Sequence, residues 1–542
     1  MFSSESVQQV QTVLLLLLLF VAGFAIVAQW LKVAYPIVLI VAGLLVSLLP
    51  HAPRIPLDPE LVFLVLLPPL LYASASAASW RELRHNGLNI GMLAFGLVAF
   101  TVWGVAEFCD RFIVALDWKA GFVLGAVVAA TDAIAATSIA RSIGLPRRIV
   151  DILEGESLLN DATALLALEF GLRLLNRGDT PGVGEAVLRL LWLTGAGAVI
   201  GLAVGWVFAK GHALIEDGPV EIVLSLVVPY AAYLAGEGAN ASGVIAVVAC
   251  GLYMGRKSAT IYSARVRMQV RGVWEAMEFI LNGLVFVLIG LQLPLVLALV
   301  RGTYGWATLI RYGLIFSAVL IVLRLVWTFP AAWFSHLVRK KLLRRGETRG
   351  MPWRPVFVVG WTGMRGVIAL AASISLPQTI AGGKPFAVRS LIIFLAFSVI
   401  LVTLVLQGLT LPPLIRWLGL AKVKGIDEEE REARRIVLRS AIEYLEGDRQ
   451  AGDEEMEHVY DDLLHRYRHR LAAVGGGVDD EHFRALDRST YARLRAVATG
   501  AIQAERRTLI GLRDKERIGD EALRTLEHEL DLQESRYQLG PE

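Results

Sequence analysis

Hydrophobic residues fill the first 420 positions in long blocks separated by short polar stretches. A bilayer-spanning helix needs about 20 mostly apolar residues. The blocks give thirteen such segments, near 8–31, 34–50, 59–79, 87–109, 120–142, 148–174, 185–213, 219–236, 241–255, 273–299, 308–334, 356–376 and 388–416. The second and ninth are short, and Gly236-Glu237-Gly238-Ala239-Asn240 alone divides the eighth from the ninth. The pattern predicts an all-α, polytopic membrane protein. It changes after Leu420. From Lys422 onward the chain is polar, with mixed-sign runs such as Asp427-Glu428-Glu429-Glu430-Arg431-Glu432. Apolar residues recur there at helical spacing, as in Ile436, Val437, Tyr444 and Leu445, then Leu523, Leu526 and Leu530. The division predicts a transmembrane domain over 1–420 and a helical C-terminal domain over 421–542. Gly475-Gly476-Gly477 is the expected break between helices of the tail. The tail reads either as a solvated bundle that aids assembly or as a regulatory domain.

Composition agrees with a membrane protein. Only 19% of residues are charged, against about 25% in an ordinary soluble domain, and the mean hydropathy is +0.56. A net charge of +3 is too small to suggest a nucleic-acid partner, and there is no basic stripe with interleaved aromatics. Cys109 and Cys250 lie in apolar surroundings and read as small core residues, with no disulfide framework or CxxC spacing. The first residues, Met1-Phe2-Ser3-Ser4-Glu5-Ser6, carry no positive n-region, so the first apolar block reads as a retained helix. With the N-terminus outside, the inside loops hold more than twice the Lys and Arg of the outside loops, as the positive-inside rule requires. An odd span count then puts the tail in the cytoplasm, and the expected location is the inner (plasma) membrane, in contact with lipid.

The candidate chemistry sits inside three of the spans. A carboxylate at the centre of a bilayer costs roughly 2.5–3.5 kcal/mol on insertion scales, so it marks function. The sixth span carries Glu154-Gly155-Glu156-Ser157-Leu158-Leu159-Asn160-Asp161. Glu156 and Asn160 are four residues apart, as are Ser157 and Asp161, and Glu154 falls near the same face two turns before Asp161. This predicts a stripe of oxygen ligands, suited to a hard monovalent cation or a proton. The fifth span carries Thr131-Asp132 among small residues, where the helix can unwind if it lines a cavity. Asp132 can cap a half-helix N-terminus there, act as a ligand, or do both. The twelfth span carries Gly360-Trp361-Thr362-Gly363-Met364-Arg365-Gly366. Its buried Arg365 needs a partner, and the carboxylates of the fifth and sixth spans are the expected ones. The fifth and twelfth spans are interrupted in corresponding positions if spans 1–6 and 8–13 are inverted repeats, and such pairs mark transporter binding sites. Glu237, Glu275, Glu278 and Asn282 are further polar residues in spans. They read as caps or dipole partners, with a funnel or pH-sensing role as the sharper alternative. No nucleophile elbow, HExxH, P-loop or histidine cluster points to an enzyme.

Together the sixth-span motif, Thr131-Asp132 and Gly363-Met364-Arg365-Gly366 resemble the monovalent cation/proton antiporters of the NhaP/NHE branch. The tail start, Ile426-Asp427-Glu428-Glu429-Glu430-Arg431-Glu432-Ala433, resembles the bacterial Na⁺/H⁺ exchanger form. The resemblance implies about thirteen transmembrane helices in two inverted six-helix repeats, with crossed interrupted helices. It implies a homodimer with a dimerisation domain and a moving core. It implies that Asp161 carries Na⁺ and H⁺ in alternation and that Asp132, Ser157 and the Thr131 carbonyl complete the cation's shell. Glu156 would help through water or by holding its neighbours, and Asn160 would steady the helix crossing. Arg365, with Glu154, would balance charge. The Asn160-Asp161 pair in place of two aspartates implies electroneutral exchange. Where the family often has Pro after Thr-Asp, this chain has Ala133.

The expected function is therefore exchange of Na⁺ (or Li⁺) for H⁺ by alternating access, with no cofactor beyond the transported ions. K⁺/H⁺ exchange is the first alternative. A regulated channel or a receptor with a cytoplasmic output domain is the second, motivated by the large tail.

Overall fold

Hydrocarbon offers a backbone no hydrogen-bond partners, so a chain this apolar must satisfy its amides within helices. The computed structural model describes residues 4–50, 55, 57–177, 182–212, 215, 217–302, 304–341, 352–380, 384–421, 428–451 and 457–473, with scattered positions between 500 and 533. It divides into two units, Met1–Lys422 and Val423–Glu542.

The first unit is helical almost throughout. Its elements are α1 (Ser4–Leu31), α2 (Tyr35–Ser47), α3 (Pro59–Ala77), α4 (80–112), α5 (Trp118–Ala129), α6 (Ala133–Ile143), α7 (Arg147–Arg177), α8 (Val183–His212), α9 (Gly218–Gly238), α10 (Gly243–Ile261), α11 (Ala264–Leu291), α12 (Leu293–Val300), α13 (Trp306–Lys341), α14 (Trp353–Trp361), α15 (Val367–Ile374) and α16 (Arg389–Trp417). A two-stranded antiparallel hairpin, β1 (Thr379–Ile380) with β2 (Lys384–Pro385), lies between α15 and α16. Each of the thirteen expected segments falls on one helix or on a consecutive pair. Among the described residues, nine helices are long and apolar enough to cross a membrane by length and composition. α2 is shorter, and the carboxylates and arginines of α7 keep it out of that group.

Short polar side chains set several starts. The Asp117 carboxylate accepts from the Ala120 amide to cap α5, and the Ser242 hydroxyl accepts from the Ile245 amide to cap α10. Glu237 also bonds the first amide of α10, so it serves as a cap. Glu275 pairs with Arg271 on an exposed face of α11. Where α4 meets α5, a side-chain carbon added at Gly121 or Gly125 would lie 2.9 Å from the Ala106 Cα or 2.8 Å from the Val102 Cα. Glycine there lets two backbones approach, as membrane helix pairs require. Cys109 and Cys250 are buried as free thiols.

π turns interrupt α3 at Val62–Leu66, α4 at Met92–Leu97 and α16 at Thr403–Gln407. Two segments break outright. Residues 130–132 separate α5 from α6, and 362–366 separate α14 from α15.

The second unit contains the helical hairpin α17 (Glu428–Ala451) and α18 (Glu457–Ala473). Leu438 and Ile442 pack with Leu464 and Leu471, flanked by Leu445 and Tyr467. Arg449 pairs with Glu457 and Asp461, and Arg468 with Glu446, which fixes the helices antiparallel. This corrects the expected apolar face. Ile436, Val437 and Tyr444 are exposed, because the partner helix is covered by Leu438, Ile442 and Leu445 instead. Leu530 is buried. Ile426-Asp427, Gly475-Gly476-Gly477, Leu523 and Leu526 lie outside the described residues.

Candidate functional site

The two breaks meet. The Asp132 amide donates to the Met364 carbonyl at 2.8 Å, so each interruption supplies half of a backbone hydrogen bond. Unwound backbone inside a membrane protein must find partners from its surroundings. Here nearly every partner is a residue the sequence had singled out.

At the end of α5 the last carbonyls are orphaned. Arg365 supplies them: its Nη1 donates to the Ala129 and Ala130 carbonyls at 2.9 and 3.3 Å. A cation at a helix C-terminus is also favoured by the macrodipole. This overturns the expectation that Arg365 pairs with a carboxylate; its partners are main-chain oxygens. Its own amide donates to the Thr403 hydroxyl, the first residue of the π turn in α16. At the start of α6 the Asp132 carboxylate accepts from the Ile134 amide at 2.8 Å, an N-cap. Asp132 also sits against the break before α15, since a carbon added at Gly366 would lie 2.5 Å from its Oδ2.

α7 passes alongside. The Ser157 hydroxyl donates to the Thr131 carbonyl at 2.9 Å. The Asn160 amide donates to the Thr131 hydroxyl, which in turn donates to Glu156 at 3.2 Å. Asn160 thus clasps the first break. The single expected stripe on α7 is two. Ser157 and Asp161, with Glu154, line a cavity, whereas Glu156 and Asn160 face the Thr131 side chain behind it. Neighbouring residues lie about 100° apart around a helix, which separates 156 and 160 from 157 and 161.

The cavity holds about 150 Å³ and is lined by Thr131, Asp132, Glu154, Ser157 and Asp161 from the expected set. Asp161 is 2% exposed, and its Oδ1 makes no hydrogen bond. The cavity is also lined from α2, α3 and α11, by residues that include Tyr35, Ser74, Glu278 and Asn282. The buried carboxylate of Asp161, the half-buried carboxylates of Asp132 and Glu154, a hydroxyl and a backbone carbonyl in one pocket form an all-oxygen set, of the kind that suits hard cations and protons rather than soft metals.

One residue was not anticipated. Arg324, in the middle of α13, grips Glu156 with both terminal nitrogens, at 2.5 Å to Oε1 and 2.8 Å to Oε2. Both side chains are 2% exposed or less. Arg324 also donates to the Val359 carbonyl in α14. The carboxylate of Glu156 is therefore bound to a guanidinium and held off the cavity. An arginine sixteen residues into the expected span 308–334 was the available signal, since, unlike Arg311 near the start, it is too far from either end to reach water.

The family model for the transmembrane region of sodium/hydrogen exchangers matches residues 15–417. The chain belongs to the sodium/hydrogen exchanger family. That family is one of transporters, and its activity class is accordingly cation/proton antiport. The exchanger is 32% identical over 512 residues to a Mycobacterium tuberculosis protein named as an uncharacterized Na⁺/H⁺ exchanger, covering 93% of this chain and 92% of that one. It is 30% identical to a Bacillus pumilus protein named as a sodium, potassium, lithium and rubidium/H⁺ antiporter, over 85% of this chain and 69% of that one. Among solved structures, the sodium proton antiporter MjNhaP1 of Methanocaldococcus jannaschii superposes with a TM-score of 0.57 at 18% identity, covering 77% of this chain and all of that one. At that identity the likeness establishes a shared fold.

Proposed function

We propose that the protein exchanges Na⁺ (or Li⁺) for H⁺, one for one, with Asp161 binding either ion in competition. The observation that carries the reading is the Asp161 carboxylate, buried at the wall of a cavity with an unbonded oxygen and sharing that cavity with Asp132, Ser157 and Thr131. A carboxylate there is stable when neutralised, and either a proton or a cation neutralises it. The two cannot bind together, so a cavity that opens alternately to each side couples their movements. Asp132 and the hydroxyl of Ser157 supply further oxygens, with the Thr131 carbonyl in reach of the same pocket. Glu156, Asn160, Arg324 and Arg365 hold the broken segments and keep the remaining charges paired. One titratable carrier, with Asn160 beside it, supports an electroneutral cycle.

Residues 1–420 constitute the antiporter domain in this reading, with two inverted repeats and a homodimeric assembly in the plasma membrane. Residues 421–542 form a cytoplasmic helical domain. A broader cation range including K⁺ is the second reading, favoured by the name of the Bacillus pumilus relative.

The test is dissipation of a pH gradient in proteoliposomes on addition of Na⁺, Li⁺ or K⁺. Wild type is expected to respond without sensitivity to a clamped membrane potential, and Asp161→Asn is expected to be silent. Cation-driven proton movement in Asp161→Asn at a wild-type rate overturns the proposal.

A further inference from the structure

The cavity has a second polar wall whose amide has no partner. Asn282 is 1% exposed, yet neither its Oδ1 nor its Nδ2 makes a hydrogen bond. The Tyr35 hydroxyl approaches it without closing one. A buried polar group left unbonded loses its hydration without replacement, and an amide carries two such groups. The neighbours on the same stretch of α11, Val285 and Phe286, line the same cavity with apolar carbon. A leucine at 282 would continue that surface without the cost. A side chain that serves only to lock two helices together makes its hydrogen bond in the folded state, and this one does not.

We infer that Asn282 is a cation-coordinating and selectivity-determining residue, lining the same cavity as Asp161, with Glu278 as the charge that draws the cation in. The inference rests on the antiport reading and extends it to the part of the lining contributed by α11. Glu278 lies one turn before Asn282, so both occupy one face of α11, and both line the cavity. An amide oxygen is a hard ligand without charge. It can replace a water of a partly dehydrated cation while adding no further negative charge to a cavity already lined by Asp132, Glu154, Asp161 and Glu278. A neutral ligand also binds weakly enough to release the ion, and the number and strength of such oxygens tune selection between Na⁺ and K⁺. Tyr35 stands at the same wall, its ring 5.5 Å from that of Phe279. The protonated form of Asp161 needs no such oxygen, so the effect of Asn282 falls on the cation half of the cycle.

The test is gradient dissipation in proteoliposomes, with apparent KM and Vmax measured for Na⁺, Li⁺ and K⁺ in wild type, Asn282→Leu and Asn282→Ser. Leucine removes the ligand at similar volume; serine keeps one oxygen and leaves space, so a folding failure of the first leaves the second. Loss of one ligand is expected to raise the Na⁺ KM about tenfold in Asn282→Leu, with Vmax within about twofold and the Na⁺:K⁺ preference altered by about threefold or more. Asn282→Ser is expected to fall between it and wild type. KM values within about twofold of wild type for all three cations in both variants, or an equal rise for every cation, overturn the inference. If wild type dissipates no gradient with any cation, the antiport reading itself has failed, which is a distinguishable result.

Discussion

Substitution of either partner in the Arg324–Glu156 pair tests how the broken segments are held. The pair is almost fully buried, its two contacts are 2.5 and 2.8 Å, and Arg324 adds bonds to the Val359 carbonyl at 3.0 and 3.3 Å. At an effective dielectric of about 20, charges about 4 Å apart attract by about 4 kcal/mol. Removing one partner also strands the other charge in a dry site, so Arg324→Met and Glu156→Gln should each lose ~3–5 kcal/mol. The double variant strands nothing. It should recover about a third of the summed loss of ~6–10 kcal/mol, a coupling of ~2–3 kcal/mol. The assay is denaturation in mixed detergent micelles followed by the fluorescence of the 13 tryptophans. Losses that simply add in the double variant, or single losses below ~1 kcal/mol, would show that the pair is not what braces α7 against α13 and α14.

Two further outcomes follow from local geometry. Gly366→Ala places a carbon 2.5 Å from the Asp132 carboxylate and 2.6 Å from its Cβ; because the Asp132 amide is held by Met364, transport should drop about tenfold or more with little change in unfolding, while Gly272→Ala, where the added carbon meets nothing within 4 Å, should transport normally. In the tail hairpin, burial and then the neighbouring His465 push the His469 pKa below its usual value. The folded hairpin therefore binds that proton less readily than the unfolded chain. Its contribution to stability is present above the ordinary imidazole pKa of about 6.5 and is lost as the pH falls through the depressed value. Amide exchange of α17 and α18 in the full chain, corrected for intrinsic rates, should show weaker protection in mild acid, and His469→Gln should flatten that dependence; identical profiles for the two proteins would refute it.

Much of this site was legible because membranes penalise what they do not use. Asp132, Glu156, Asn160 and Asp161 stood out as polar residues in apolar blocks, and Gly363 with Gly366 marked a helix that could open. Arg365 was equally visible, but its partners were not. Carbonyl oxygens at the end of α5 become acceptors only once the helix stops at Ala129, and no residue letter records that. Arg324 escaped notice for a different reason: α13 is 36 residues long with basic residues at its far end, and an arginine without glycine neighbours reads as a tolerated impurity. The division of α7 into two stripes depended on where Thr131 and Arg324 stand, which is tertiary information. In the tail the period was right and the phase was wrong. Ile436 and Val437 share the periodicity of Leu438 and Ile442, and only the position of α18 decides which set is covered.

The hydrogen bond between the Asp132 amide and the Met364 carbonyl consists wholly of main chain. No alanine scan can delete it, because every substitution except proline at 132 preserves the donor and none at 364 removes the acceptor. The fastening between the two opened helices is therefore invisible to an alanine scan. It would yield without altering a side chain only to chemistry on the backbone itself, such as an ester oxygen in place of the peptide nitrogen.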